Sequence, residues 1–252
     1  MKGDADIAKI GALVADPARA RILLALGDGR ELPASVLADE AGVVASTASA
    51  HLSKLVEGKL LTVQRHGRHR YFSLAGPEVA ELIETLAKIA PPAKVRSLRE
   101  GTRAHAVRSG RTCYDHLAGI LGTQLMATML DRGLLTGGDG ALHRTMPRED
   151  RLSSPGSDFK YALTDRGRVE LEEFGIDFAA LSSRPRPLIR YCVDWSEQRH
   201  HLAGSLGAAL AERMFELGWV RRARRGRAVF VSEAGAAGLK ARFGLDLAAE
   251  AR

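Results

Sequence analysis

Gly42-Val-Val-Ala-Ser-Thr-Ala-Ser-Ala-His-Leu-Ser-Lys-Leu55 reads as a tight turn followed by one amphipathic helix. Ala48, Leu52 and Leu55 fall on one stripe at helical spacing, and Ser46, Thr47, Ser49, His51 and Lys54 fall away from it. Small polar residues let a helix enter the major groove, where hydroxyl, imidazole and ammonium groups meet base edges and phosphates. Upstream, Pro33 to Glu40 forms a short helix stopped at Gly42, so the pair reads as helix–turn–helix. Downstream, two β-rich runs, Leu60–Val63 and Tyr71–Leu74, flank Gln64-Arg65-His66-Gly67-Arg68-His69-Arg70. Such a basic hairpin tip suits phosphates or an adjacent minor groove. Arg65, Arg68 and Arg70 are its candidate contacts, and His66 and His69 read as wing residues, not metal ligands.

Working outward, Ile7, Ile10, Leu13 and Val14 mark a first helix, and Asp16-Pro17 ends it and starts the second. Val79, Leu82, Ile83, Leu86 and Ile89 form an apolar strip on a helix that Pro91-Pro92 terminates, a strip suited to a partner helix. Residues 5–90 resemble the ArsR/SmtB-type winged helix-turn-helix regulators. The resemblance rests on Asp16-Pro17-x-Arg19-x-Arg21-Ile22-Leu23, on Ser46-Thr47-x-Ser49-x-His51-Leu52-x-x-Leu55 and on Gly67-Arg68-x-Arg70-Tyr71-Phe72-Ser73-Leu74. It covers about a third of the chain and departs from the family at Ala45 and Lys59. It implies a homodimer built on the first and last helices, a palindromic double-stranded DNA operator, repression, and release by an inducer. The family's metal sites do not carry over. Residues 31–40 contain no cysteine and residues 78–90 no histidine.

The rest of the chain duplicates itself. His116-Leu-Ala-Gly-Ile-Leu-Gly122 recurs as His201-Leu-Ala-Gly-Ser-Leu-Gly207, each preceded by Arg-x-Cys-x-Asp at Arg111, Cys113, Asp115 and Arg190, Cys192, Asp194. Each copy continues into an amphipathic helix, a strand and a closing helix that ends at Phe174-Gly-Ile-Asp177 or Phe243-Gly-Leu-Asp246. Matched blocks in one order mean two copies of one supersecondary unit. The unit reads helix–helix–strand–strand–helix, a degenerate winged-helix-like repeat, with a polar insert at 137–157 in copy one. The expected fold is therefore mainly α with small β-hairpins (α+β). Its expected parts are a winged helix-turn-helix domain at 1–92, a basic connector at 93–110, repeat 1 at 111–181 and repeat 2 at 182–252.

Cys113, His116, Cys192 and His201 are the ligand or redox candidates, with the HLAG stretches read as helices. No CxxC or HxxxH spacing occurs, and the wider gap from Cys192 to His201 counts against two equivalent sites, so no metal and no cofactor are expected. The other readings of the duplicated half are a thiol-redox switch and a partner-protein surface. Arg221, Arg222, Arg224, Arg225 and Arg227 read either as a second DNA contact or as a solvated hairpin.

Composition agrees with these readings. Net charge is +7, which favours a polyanionic partner. Two cysteines exclude a disulfide scaffold and fit a reducing cytoplasm. No apolar run reaches the ~20 residues of a membrane span, and the first residues lack a signal-peptide core. No P-loop, dinucleotide fingerprint, Gly-x-Ser-x-Gly or HExxH is present, so an enzyme is not expected.

Overall fold

The computed structural model describes residues 4–67, 69–91, 94, 97–141, 160–183 and 185–247. It divides into two compact units, Met1–Ile89 with Arg224–Arg227, and Ala90–Ala223 with Ala228–Arg252.

The first unit runs α1 (Ile7–Val14), α2 (Pro17–Ala25), β1 (Leu32–Pro33), α3 (Ala34–Ala41), α4 (Ala45–Glu57), β2 (Leu61–His66), β3 (His69–Leu74) and α5 (Pro77–Ile89). Asp16 caps α2, its side chain accepting from the Arg19 backbone N–H at 2.9 Å, and Pro17 fits the first turn because no donor is needed there. That N–H, and the Arg19 guanidinium beside it, hold the Asp16 carboxyl below its usual pKa despite partial desolvation. Gly42 ends α3 in the left-handed conformation at φ 71°. Ala48, Leu52 and Leu55 of α4 are buried with Ile22 and Leu23 of α2 and Leu37 of α3. The wing is a three-stranded antiparallel sheet in the order β1-β3-β2, with Leu61 opposite Leu74 and His66 opposite His69.

The first unit also holds Arg224–Arg227, and here the arginine cluster meets acids. Arg227 is buried and paired with Glu84, the Gly226 N–H donates to Glu40 at 2.8 Å, and Arg225 pairs with Asp39 at 2.8 Å. In the second unit, Arg221 lies over the Phe230 ring at 4.7 Å and Arg222 over Phe215 at 4.4 Å. Of these arginines only Arg227 is buried; Arg221, Arg224 and Arg225 stay exposed to solvent.

The second unit begins with α6 (Leu98–Ser109), followed by two copies of one pattern. Copy one is β4 (Arg111–Cys113), β5 (His116–Ala118), α7 (Gly119–Asp131), β6 (Leu135–Thr136), β7 (Ala162–Leu163), α8 (Asp165–Glu173) and α9 (Phe178–Ser182). Copy two is β8 (Arg190–Val193), β9 (His200–Ala203), α10 (Gly204–Glu216), β10 (Val220–Arg222), β11 (Val229–Val231) and α11 (Glu233–Phe243). The repeat is thus strand–strand–helix–strand–strand–helix. The expected helix at the start of each copy is instead a β-hairpin, because Gly119 and Gly204 (φ 74° and 79°) turn extended chain into helix only after His-Leu-Ala. The insert of copy one lies outside the described residues from 142 to 159.

The copies pack reciprocally. Helix α7 lies on β9 of the other copy, and α10 lies on β5. One apolar core joins them, with Leu121, Met126, Met129 and Leu171 from copy one and Leu206, Leu210, Met214 and Leu239 from copy two. Gly122 and Gly207 allow the approach. A Cβ on Gly122 would sit 3.5 Å from His201 Cβ and one on Gly207 3.3 Å from His116 Cβ, besides clashing with the Leu117 and Leu202 carbonyls. Each glycine therefore faces the histidine of the opposite copy.

Candidate nucleic-acid interface and the buried cysteine–histidine cluster

On α4, Ser46, Thr47, Ala50 and Lys54 are exposed and Ser49 is half-buried, opposite the apolar stripe that anchors the helix. His51 is half-buried at the edge of this face, its side chain 16% exposed and Nδ1 3.7 Å from Asp16 Oδ1 at the α2 cap. The α4 N-cap is Val44, which makes no side-chain cap, leaving the first backbone N–H groups of the helix without a capping oxygen. Beside α4 stands the wing. Arg65, His66, His69 and Arg70 are exposed, Arg70 reaches Ser49 Oγ at 3.4 Å, and its guanidinium lies 5.9 Å from the Phe72 ring. His66 is near Glu31, Nε2 to Oε2 3.8 Å. Arg68 lies outside the described residues. The result is a helix with a small polar face next to a cationic hairpin, with Arg70 linking the two.

In the second unit, register brings the other four candidates together. Cys113 pairs across its hairpin with His116, and Cys192 pairs with His201. The longer stretch in copy two, residues 194–199, forms a turn over Asp194 and leaves the Cys–His register unchanged. Cys113 and His116 are therefore cross-strand partners and not neighbours on a helix face. Since β5 and β9 meet, the ligand atoms of all four residues lie within 4.8 Å of one another, and the two imidazole centroids are 5.2 Å apart. Cys113, His116 and His201 are buried, and neither cysteine is in a disulfide.

Sequence reading misses the charged frame around this cluster. Arg111 and Asp194 form an ion pair at 2.9 Å with both side chains fully buried. Asp194 Oδ2 also accepts from the Gly119 N–H at 2.7 Å, and Oδ1 accepts from the Ser196 N–H and hydroxyl. Arg111 donates to Ser196 Oγ and the Val107 carbonyl and stacks on Trp195 at 4.5 Å. Burial would raise the Asp194 pKa, but Arg111, with His201 and these donors, holds it well below the carboxylate range. In the other copy, Asp115 pairs with Arg186 at 2.6 Å and lies 3.2 Å from His116 Nδ1. Burial opposes charge on His116, yet Cys113 and Asp115 outweigh it and push its pKa up to about 9. The repeated Arg-x-Cys-x-Asp motif is the available signal, since a carboxylate two residues past each cysteine frames each histidine.

Residues 14–64 match a helix-turn-helix domain family. The whole chain is similar to an uncharacterized HTH-type transcriptional regulator, YdfF, of Bacillus subtilis, 40% identical over 91% of this chain and 93% of the relative. The chain belongs to the HTH-type transcriptional regulators. Shorter likenesses include the regulator CmtR of Mycobacterium tuberculosis, 36% identical over 33% of this chain and 70% of that one. Another is the solution structure of a homodimeric winged helix-turn-helix domain from Mycobacterium bovis, described as a possible ArsR-family regulator. It is 29% identical, with a TM-score of 0.29, and covers 34% of this chain and 86% of that one. The motifs of the N-terminal unit resemble those of the ArsR/SmtB type. Its relatives are named as regulators, not enzymes. Among the described residues, no helix is long and apolar enough to cross a membrane.

Proposed function

We propose that the regulator is a homodimeric repressor that binds a palindromic operator through α4 and the wing and leaves it when the duplicated half takes up an effector. The observation that carries the reading is the exposed Ser46–Thr47–Lys54 face of α4, held by a buried stripe and flanked by Arg65 and Arg70. We assign Ser46, Thr47, Ser49 and Lys54 to the groove, Arg65, Arg68 and Arg70 to phosphates, and His51 to holding α4 in place. Residues 1–92 serve DNA and dimer contacts, 93–110 connect, and 111–181 and 182–252 sense.

Dimerisation is supported by apolar helices that a single chain leaves uncovered. None of α1 is buried and Ile7 is 79% exposed, while on α5 Val79, Leu82 and Leu86 are only partly covered and Ile89 is 76% exposed. Two recognition helices then face half-sites ~34 Å apart, one turn of DNA. Leu82→Glu with Leu86→Glu should convert the dimer to monomer in analytical ultracentrifugation. A dimer unchanged at micromolar concentration would move the interface elsewhere.

The deciding test is a mobility shift and footprint of the full chain on the DNA upstream of its own gene. A protected inverted repeat is expected, and binding no tighter than to random DNA would refute the reading. For the wing, Arg65→Ala and Arg70→Ala should weaken all sequences alike. Each should flatten the slope of log K against log salt by ~0.9 for every phosphate that the arginine neutralises in the wild type. Poorer discrimination between operator and random DNA at an unchanged slope would instead make these side chains base readers.

A further inference from the structure

We propose that Cys113, His116, Cys192 and His201 form a tetrahedral Cys2His2 site for a zinc-type dication, built across the two copies of the duplication. This assignment stands on the second unit alone and does not rest on the operator reading.

Geometry comes first. Each copy offers one sulfur and one imidazole, matched across a hairpin, and the four ligand atoms fall within 4.8 Å of one another. Zinc bonds of ~2.3 Å to sulfur and ~2.0 Å to nitrogen put tetrahedral ligand atoms roughly 3.3–3.8 Å apart, so a contraction of about 1 Å completes the shell. Two hairpin ends closing on each other can supply that motion.

The second observation is unmet polarity. Nε2 of His116 and Nε2 of His201 are buried with no hydrogen-bond partner, in rings whose residues are 6% and 1% exposed. Buried imidazole nitrogens without partners are costly, and a metal ion satisfies them directly. The surroundings also fix which nitrogen is offered. Asp115 Oδ1 lies 3.2 Å from His116 Nδ1 and Asp194 Oδ2 lies 3.5 Å from His201 Nδ1, so Nε2 is left for the ion in both rings. A carboxylate behind each ligating histidine is the usual supporting arrangement at zinc, and here each carboxylate is itself anchored by an arginine, Arg186 or Arg111.

Charge selects the ion. The pairs Arg111–Asp194 and Arg186–Asp115 are internally neutral. Two thiolates plus a dication add no net charge to this interior, whereas a monovalent soft ion would leave one negative charge buried. Two sulfurs and two imidazoles in a tetrahedron suit zinc among common divalent metals.

The test uses the full-length chain, reduced and chelator-stripped, titrated with Co2+ as a spectroscopic probe and then with Zn2+. One Co2+ per chain should give tetrahedral visible bands and a sulfur-to-cobalt charge-transfer band, both abolished by one equivalent of Zn2+. Cys113→Ser and Cys192→Ser should each remove much of the charge-transfer intensity, and Asp115→Asn should weaken Co2+ binding ~10–100-fold. X-ray absorption of the Zn2+-loaded wild type needs no variant, and should show two sulfur and two nitrogen neighbours. A shell of oxygen and nitrogen only, or a charge-transfer band unchanged in both serine variants, overturns the site. So does the absence of a cobalt spectrum in reduced protein that forms a Cys113–Cys192 disulfide on oxidation, which would establish a thiol switch instead.

Discussion

Arg111→Ala should destabilise the second unit by about 3–5 kcal/mol, a large part of the ~5–15 kcal/mol that holds a typical domain together. Arg111 is the largest fully buried side chain in the described structure, and its partner Asp194 is equally buried. Removing the guanidinium leaves a carboxylate in the interior without its counter-charge, opens a cavity against Trp195 and takes a donor from the Val107 carbonyl and from Ser196 Oγ. Arg111→Lys should recover only part of the stability, because one ammonium cannot span Asp194, Ser196 and Val107 in the planar fork that arginine presents. Both tryptophans, Trp195 and Trp219, belong to the second unit, so denaturant unfolding followed by tryptophan fluorescence reads that unit alone. A destabilisation below about 1 kcal/mol would mean that water reaches the pair and screens it.

The first unit is legible in the sequence because its signals are local. Asp16-Pro17 is both an N-cap and a first-turn proline, Gly42 needs a left-handed backbone, and the Ala48–Leu52–Leu55 stripe has helical period. Each is settled within a few residues, whatever the rest of the chain does. Periodicity gives the direction of the His51 side chain but not its neighbours, and Asp16, 3.7 Å from its Nδ1, comes from the cap of another helix. The duplication is equally visible, yet the first elements of each copy read as helix. A three-residue run such as His116-Leu-Ala fits either period, and only the positive φ at Gly119 decides. The cysteine–histidine cluster depends on two hairpin registers and on the packing of one copy against the other. No single spacing encodes it. Cys113-Tyr-Asp-His116 is compatible with a tight hairpin, which places cysteine opposite histidine, but the meeting with Cys192 and His201 is tertiary. The fate of Arg227 likewise depends on Glu84, 143 residues away in sequence.

Thr47→Asp should lower operator affinity by ~1–3 kcal/mol for the groove contact alone, roughly 5–150-fold, with repulsion from the phosphates in addition. The substitution is chosen so that weaker binding cannot be attributed to a failure to fold. Thr47 is exposed in the first turn of α4, whose N-cap Val44 supplies no oxygen to the free N–H groups. A carboxylate there faces the positive end of the helix dipole and should stabilise the helix by about 0.3–1 kcal/mol. Stability and DNA affinity should therefore move in opposite directions, which neither a general packing defect nor misfolding produces. Thr47→Ala provides the scale, since it removes the hydroxyl without adding charge and should cost less affinity at unchanged melting temperature. Measured together by fluorescence anisotropy on operator DNA and by thermal denaturation, the pair separates groove contact from scaffold. Operator affinity in Thr47→Asp equal to wild type would show that α4 does not enter the groove, and the DNA-facing surface would have to be sought around the wing alone.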